Sequence, residues 1–312
     1  MIEVGDNMSK VRKKRIKVKW KNLVIVLIIL SLLIFGIIKG TTSLYHLITK
    51  PKIEPEEPIK LTQTEKEKKL EALGNIQEQI DYFNEDYLDR YVEYKKKNRH
   101  LNNVQVIKDV NMNLDKTPYE YTIPAKNLNT ETILVNKYYY IEDNYVPDNL
   151  EAINRKYALS NMRLVYKAKE AFEALSKKAQ EEDLNIIAMS TYRSYSYQVN
   201  LYNRYVKKDG KEKADTYSGR PGHSEHQTGL AVDVYNKKED YTNFENTKEF
   251  EWMQQHAHEY GFILRFPKGK EKETGYQYEA WHYRYVGKEV ATYIHDNNIT
   301  LEEYYATKIK DW

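Results

Sequence analysis

Residues 23–38 carry bulky apolar side chains interrupted only by Ser31 and Gly36, and eight Lys or Arg residues crowd positions 10–21 just before them. A buried helix of a soluble domain would keep some polar face, and this run has none. At 1.5 Å per residue it spans about 24 Å, a little short of a ~30 Å hydrocarbon core. Trp20 and the stems of Lys21 and Lys39 extend it to the interfaces. A cleaved export signal is the rival reading, but Ile37, Ile38 and Lys39 stand where a small-x-small cleavage site is needed. The run is therefore read as an uncleaved transmembrane anchor over 23–38, with 1–22 as a basic cytoplasmic tail. The positive flank keeps that end inside, so everything beyond residue 40 is expected outside the cytoplasmic membrane.

The net charge of +3 conceals an asymmetry. Residues 1–50 hold ten basic and two acidic side chains, which leaves the other 262 residues at −5. The basic charge serves the membrane end, and the remainder lacks the basic face of a nucleic-acid-binding body. The chain has no cysteine. Disulfides, thiolate nucleophiles, iron–sulfur clusters and Cys-based zinc sites are thereby excluded, and any metal must be held by His, Asp and Glu.

Beyond the anchor, 39–63 is a linker in which Pro51, Pro55 and Pro58 alternate with charges, a stiff spacer. From 64 to 100 the apolar residues Leu70, Leu73, Ile76, Ile80, Phe83, Tyr87 and Tyr91 recur at three and four, which predicts short helices broken near Gly74 and Asn84. Residues 101–312 form the main domain. Strands are expected over 104–110, 119–123, 132–141, 184–189, 229–235, 262–266 and 276–286. Helices are expected over 161–180, 196–206, 247–260 and 288–297, with Thr247 as an N-cap and Gly261 as a left-handed cap. Elements do not alternate regularly, so the fold class is α+β and not a doubly wound parallel sheet.

Three stretches carry chemistry. In Gly222-His223-Ser224-Glu225-His226-Gln227-Thr228-Gly229-Leu230-Ala231-Val232-Asp233 a polar loop enters an apolar strand containing a carboxylate. An Asp flanked by Val232 and Val234 must be paired or metal-bound, because an unpaired buried charge is costly. Glu279-Ala280-Trp281-His282 offers a second imidazole with a carboxylate three residues away. Two His and one carboxylate leave a fourth tetrahedral position for water, as catalytic zinc requires. Ser190-Thr191-Tyr192-Arg193-Ser194-Tyr195-Ser196-Tyr197-Gln198 supplies an Arg able to grip a carboxylate. Spacing by itself does not separate a metal site from a hydrogen-bonded core His and a strand Asp. His256 and His258, two apart on a predicted helix, do not face each other and read as surface residues, as do His46, His100 and His295.

Ser224-x-His226-x-x-Gly229-x-Ala231-x-Asp233 followed by Glu279-x-Trp281-His282 resembles the paired signature of zinc carboxypeptidases that trim peptidoglycan stem peptides. These are the VanY-type D-alanyl-D-alanine carboxypeptidases and related L,D-carboxypeptidases. Leu134-Val135-Asn136-Lys137, Tyr145-Val146-Pro147, Tyr192-Arg193-Ser194-Tyr195-x-x-Gln198 and Pro221-Gly222 extend the likeness over about residues 85–290. The resemblance implies a small, mainly antiparallel sheet flanked by helices with one Zn2+ on it, held by His226, Asp233 and His282. It implies Glu279 as general base, Arg193 as clamp for the terminal carboxylate or the polarised carbonyl, Gln198 and Ser224 as peptide-orienting groups, and Trp281 as a pocket wall. His223 is expected beside the site and not as a ligand. The implied activity is release of a terminal D-alanine from wall stem peptides, with a cross-bridge endopeptidase or an inactive wall-binding module as alternatives. On a flat strand Glu279 and His282 would point to opposite faces, so a turn or bulge is expected between them.

Overall fold

The computed structural model describes residues 62–309. The anchor expected over 23–38 lies outside the described residues, as does the linker up to 61. Among the described residues no helix is long and apolar enough to cross a membrane.

The first helices form as the apolar spacing predicts. Thr62 and Glu65 cap helix α1 (Gln63–Ala72) reciprocally, and α2 (Leu88–Lys97) follows after two short turns. Where a strand is expected over 104–110, the chain forms helix α3 (Asn103–Asn111). Asn102 accepts the Gln105 N–H at 2.8 Å as its cap. Val106, Ile107 and Val110 then fall on one face and bury against Leu73, Ile76, Leu88 and Tyr91. The β-branched residues suggested a strand, but intrinsic propensity is a weak prior that packing overrides.

The strands expected over 119–123 and 132–141 shrink to a two-residue parallel pair, β1 (Ile123–Pro124) and β2 (Tyr139–Tyr140). Strand β3 (Leu150–Ala152) pairs antiparallel with β4 (Arg163–Val165). That pairing takes the first residues of the helix expected from 161, so α4 begins later (Tyr166–Gln180). Its stripe Ala168, Phe172, Leu175 and Ala179 is buried as its spacing predicts.

The remaining order is β5 (Ile187–Ser190), α5 (Tyr195–Asp209), α6 (Lys211–Tyr217), β6 (Ala231–Tyr235), α7 (Lys248–His256), β7 (Phe262–Leu264), α8 (Glu271–Thr274), β8 (His282–Tyr285), α9 (Lys288–Asn297) and α10 (Leu301–Lys308). Helices α6, α8 and α10 have no counterpart among the elements expected from the sequence. Thr247 caps α7, and Gly261 takes φ +85° where the chain turns into β7. Strands β5, β6, β8 and β7 lie side by side in that order, and every pairing is antiparallel. The architecture is thus α+β with an antiparallel sheet among helices.

Alternation along β6 sorts its two faces. Val232 and Val234 enter the core with Phe172, Leu175 and Phe262, and the Phe172 and Phe262 rings meet edge-on at 6.0 Å. Burying each such side chain contributes about 1.5–3 kcal/mol. Asp233 therefore points to the other face, where the chemistry lies.

Candidate metal centre

Strand register builds the site. Asp233 stands opposite His282 in the β6–β8 ladder. A bulge between Ala188 and Ser190 brings Ser190, instead of Met189, beside Asp233 on the other flank. His226 comes from the 3-10 turn 225–228, whose exit is set by Gly229 at φ +69°. A Cβ there would lie 2.8 Å from Leu150 and 3.2 Å from Val165, so close packing as well as the left-handed backbone requires glycine.

His226, Asp233 and His282 each offer a ligand atom within 4.8 Å of the others, and all three are buried. His226 Nδ1 meets the Thr191 carbonyl at 2.7 Å, which leaves Nε2, 3.4 Å from Asp233 Oδ2, to face the centre. His282 presents the opposite nitrogen: Nδ1 is 2.8 Å from Asp233 Oδ1. Two imidazoles and one carboxylate, converging without cysteine, fit Zn2+ with a position left open. The electrostatics agree. Burial opposes ionisation of Asp233, yet His226 and Arg193 hold its carboxyl well below the usual range. Burial also opposes protonation of His282, but its bond to Asp233 pushes it up to about 9. A cation is what this carboxylate-centred cluster favours, and zinc would displace that proton.

Glu279 sits in the turn before β8, not on a flat strand. Its N–H donates to the Phe266 carbonyl at 3.1 Å. The turn places Oε2 3.8 Å from His282 Nδ1, which resolves the face problem. Burial pushes its carboxyl up to about 8. Arg193 donates through Nη2 to Asp233 Oδ2 at 2.7 Å and to Ser190 Oγ at 2.6 Å, with Nε also on Ser190. Ser224, Gln198 and Trp281 line the same cavity of about 510 Å³. Gln198 is tied to the loop after α6, its Nε2 donating to the Gly219 carbonyl at 2.8 Å, while its Oε1 is buried without a partner. Trp281 meets Tyr241 edge-on at 5.1 Å. The sequence reading missed other lining groups, Tyr205 and Lys208 on α5 and Lys213 and Tyr217 on α6, whose approach to the cavity depends on how these two helices pack.

His256, His258 and His295 lie away from this cluster; His258 stacks on His295 at 3.8 Å. His100 is exposed, and His46 lies outside the described residues. His223 lines the cavity, with Nδ1 2.7 Å from the Asn136 carbonyl, and is not among the converging ligands. Burial pushes it down to about 4. The unfolded chain thus takes up this proton first, near pH 6.5, so stability falls as pH drops from there toward 4. The loss is at most ~3 kcal/mol. Chemical denaturation of His223→Gln should show weaker acid sensitivity over that window than the parent; equal sensitivity would assign the effect elsewhere.

Sequence reasoning also missed Glu225, Arg265 and Arg284. Glu225 Oε1 accepts from Arg265 Nε at 2.8 Å and from Arg284 Nη1 at 2.9 Å, all three side chains being buried. Arg265 is held in turn by both oxygens of Glu302 on α10, at 2.8 and 2.6 Å. The one signal available was an acidic residue directly beside a predicted ligand in the polar loop that leads into β6.

The family model for VanY, D-alanyl-D-alanine carboxypeptidase, matches residues 161–288. YodJ of Bacillus subtilis is 41% identical over 186 residues, covering 57% of this chain and 68% of YodJ. The bifunctional D-Ala-D-Ala dipeptidase and D-Ala-D-Ala carboxypeptidase VanXYC of Enterococcus gallinarum is 32% identical over 178 residues, 55% of this chain and 92% of that protein. The solved structure of the LdcB LD-carboxypeptidase superposes with a TM-score of 0.56 at 37% identity, over 60% of this chain and 90% of that one. With His226, Asp233 and His282 converging as a zinc ligand set, the chain belongs to the VanY-type carboxypeptidase family and is a zinc metallopeptidase.

Proposed function

We propose that the chain is a membrane-anchored carboxypeptidase that removes the C-terminal D-alanine from peptidoglycan stem peptides on the outer side of the membrane. The observation that carries this reading is the single cavity lined together by the His226–Asp233–His282 cluster, Glu279 and Arg193. Zinc, when bound, supplies a Lewis acid that polarises the scissile carbonyl and acidifies water. Glu279 takes the proton as water adds to the carbonyl carbon, and returns it to the departing amine as the C–N bond breaks. Arg193 already spends Nη2 and Nε on Asp233 and Ser190. Its Nη1 has no hydrogen bond among the described residues and is the donor assigned to the substrate's terminal carboxylate. Trp281 with Tyr241 walls the terminal residue, and Ser224 and Gln198, which line the same cavity, orient the peptide. Lys208 and Lys213 line the same cavity and suit an acidic stem. The basic flank and apolar run 23–38 support the anchored location.

The test is incubation of the purified full chain with pentapeptide and tetrapeptide stems, with and without chelator, read by mass. Loss of one alanine from the pentapeptide, blocked by chelator, is the result expected of a D,D-enzyme; loss from the tetrapeptide alone assigns L,D specificity. Solubilisation of intact wall in place of trimming would replace this reading with an endopeptidase. Protease protection of the domain in intact spheroplasts would overturn the external location.

A further inference from the structure

Among the described residues, two buried polar atoms beside the ligand cluster lack hydrogen-bond partners, and they face each other. They are Glu225 Oε2 and His282 Nε2, 3.6 Å apart. We infer that Glu225 is a positioning residue for the metal: its Oε2 anchors Nε2–H of His282 and so holds Nδ1 on the metal. The inference rests on the zinc reading of the site.

The rest of the carboxylate's surroundings leave it little else to do. Oε1 is already committed to Arg265 and Arg284. Both guanidiniums are themselves fixed, Arg265 by Glu302 and Arg284 by the carbonyls of Glu131 and Ile133 at 3.0 and 2.7 Å. Glu225 therefore cannot turn, and Oε2 is presented in one direction. On the imidazole side, Phe266 stacks on the His282 ring at 4.9 Å and 28°, which confines its tilt. A neutral imidazole that ligates through Nδ1 must carry its proton on Nε2. A shift of roughly half an ångström brings that N–H within hydrogen-bond range of Oε2. His226 is fixed in the same manner by a different acceptor, the Thr191 carbonyl. Such outer partners set ring orientation and ligand basicity, and their loss typically weakens metal binding about 10–100-fold. The carboxylate is held from two directions, by Arg265 just after β7 and by Arg284 on β8, and Glu302 of α10 backs Arg265.

The experiment measures zinc affinity of the full chain by competition with a chromogenic chelator, comparing the parent with Glu225→Gln and Glu302→Gln. Glu225→Gln should bind zinc about 10–100-fold more weakly and shift the visible spectrum of the cobalt-substituted protein. Glu302→Gln removes charge from the same network farther from the metal. It should lower the denaturation midpoint while leaving zinc affinity within about twofold. Equal weakening in both variants would mean a structural role only and would overturn the inference, as would parent-like affinity in Glu225→Gln. Should Glu225→Gln fail to fold, nitrogen-15 histidine spectra of the zinc-loaded parent decide. A slowly exchanging Nε2–H on His282 supports the anchor, and a rapidly exchanging one sinks it. A parent chain that binds no zinc would instead remove the metal reading on which the inference stands.

Discussion

Glu279→Gln is expected to keep zinc and to lose turnover by about 10²–10⁴-fold, the range that a positioned acid–base group contributes. The residue is 7% exposed and placed by the Glu279 N–H bond to the Phe266 carbonyl, so an isosteric amide should occupy the same space. What the amide lacks is a proton acceptor 3.8 Å from His282 Nδ1. The loss should therefore appear in kcat, with KM little changed, because the ligand set and Arg193 are untouched. Elemental analysis for zinc and single-turnover hydrolysis of a pentapeptide stem check the two halves separately. Full turnover with zinc in place would remove Glu279 from the mechanism.

The second large effect is on stability. Arg265→Ala should cost about 3–5 kcal/mol, the usual consequence of deleting one partner from a buried ion pair. Arg265 is 1% exposed and lies between Glu225 and Glu302. Truncation leaves Glu302 with a single hydrogen bond from Asn136 at 3.1 Å, and Glu225 with Arg284 alone on Oε1. Replacing Arg265 and Glu302 together by Met and Leu should recover much of the loss, since the desolvation cost of both charges then disappears. The denaturant midpoint reads both variants, and an unchanged midpoint in Arg265→Ala would show that the network contributes little to stability.

Much of the site was legible because catalytic chemistry constrains residue type. Zinc without cysteine needs imidazole and carboxylate, and His226, Asp233 and His282 stood in stretches whose neighbours were apolar or turn-forming. The stripe of α4, the Thr247 cap and the Gly261 turn were equally legible, since each depends on contacts within a few residues. The reading failed where distant partners decide. Residues 104–110 look extended by side-chain branching, yet a helix lets Val106, Ile107 and Val110 share one apolar face with α1 and α2. Residues 163–165 continue a helical pattern, yet pairing with 150–152 draws them into a strand. Glu225 reads as a loop residue because the two arginines that bury it lie 40 and 59 positions away.

Residue composition and order set which atoms are available: two imidazoles, one strand carboxylate, a candidate base and a guanidinium, with no thiolate to compete. They also set the charge asymmetry and the apolar run. Folding settles which nitrogen of each histidine faces the centre, carries Glu279 to His282 on a turn, and backs Glu225 with Arg265 and Arg284. Side-chain directions in this site follow from the register between β5, β6 and β8 and from the cost of burying charges without partners. Both are long-range quantities, fixed only when the sheet has closed.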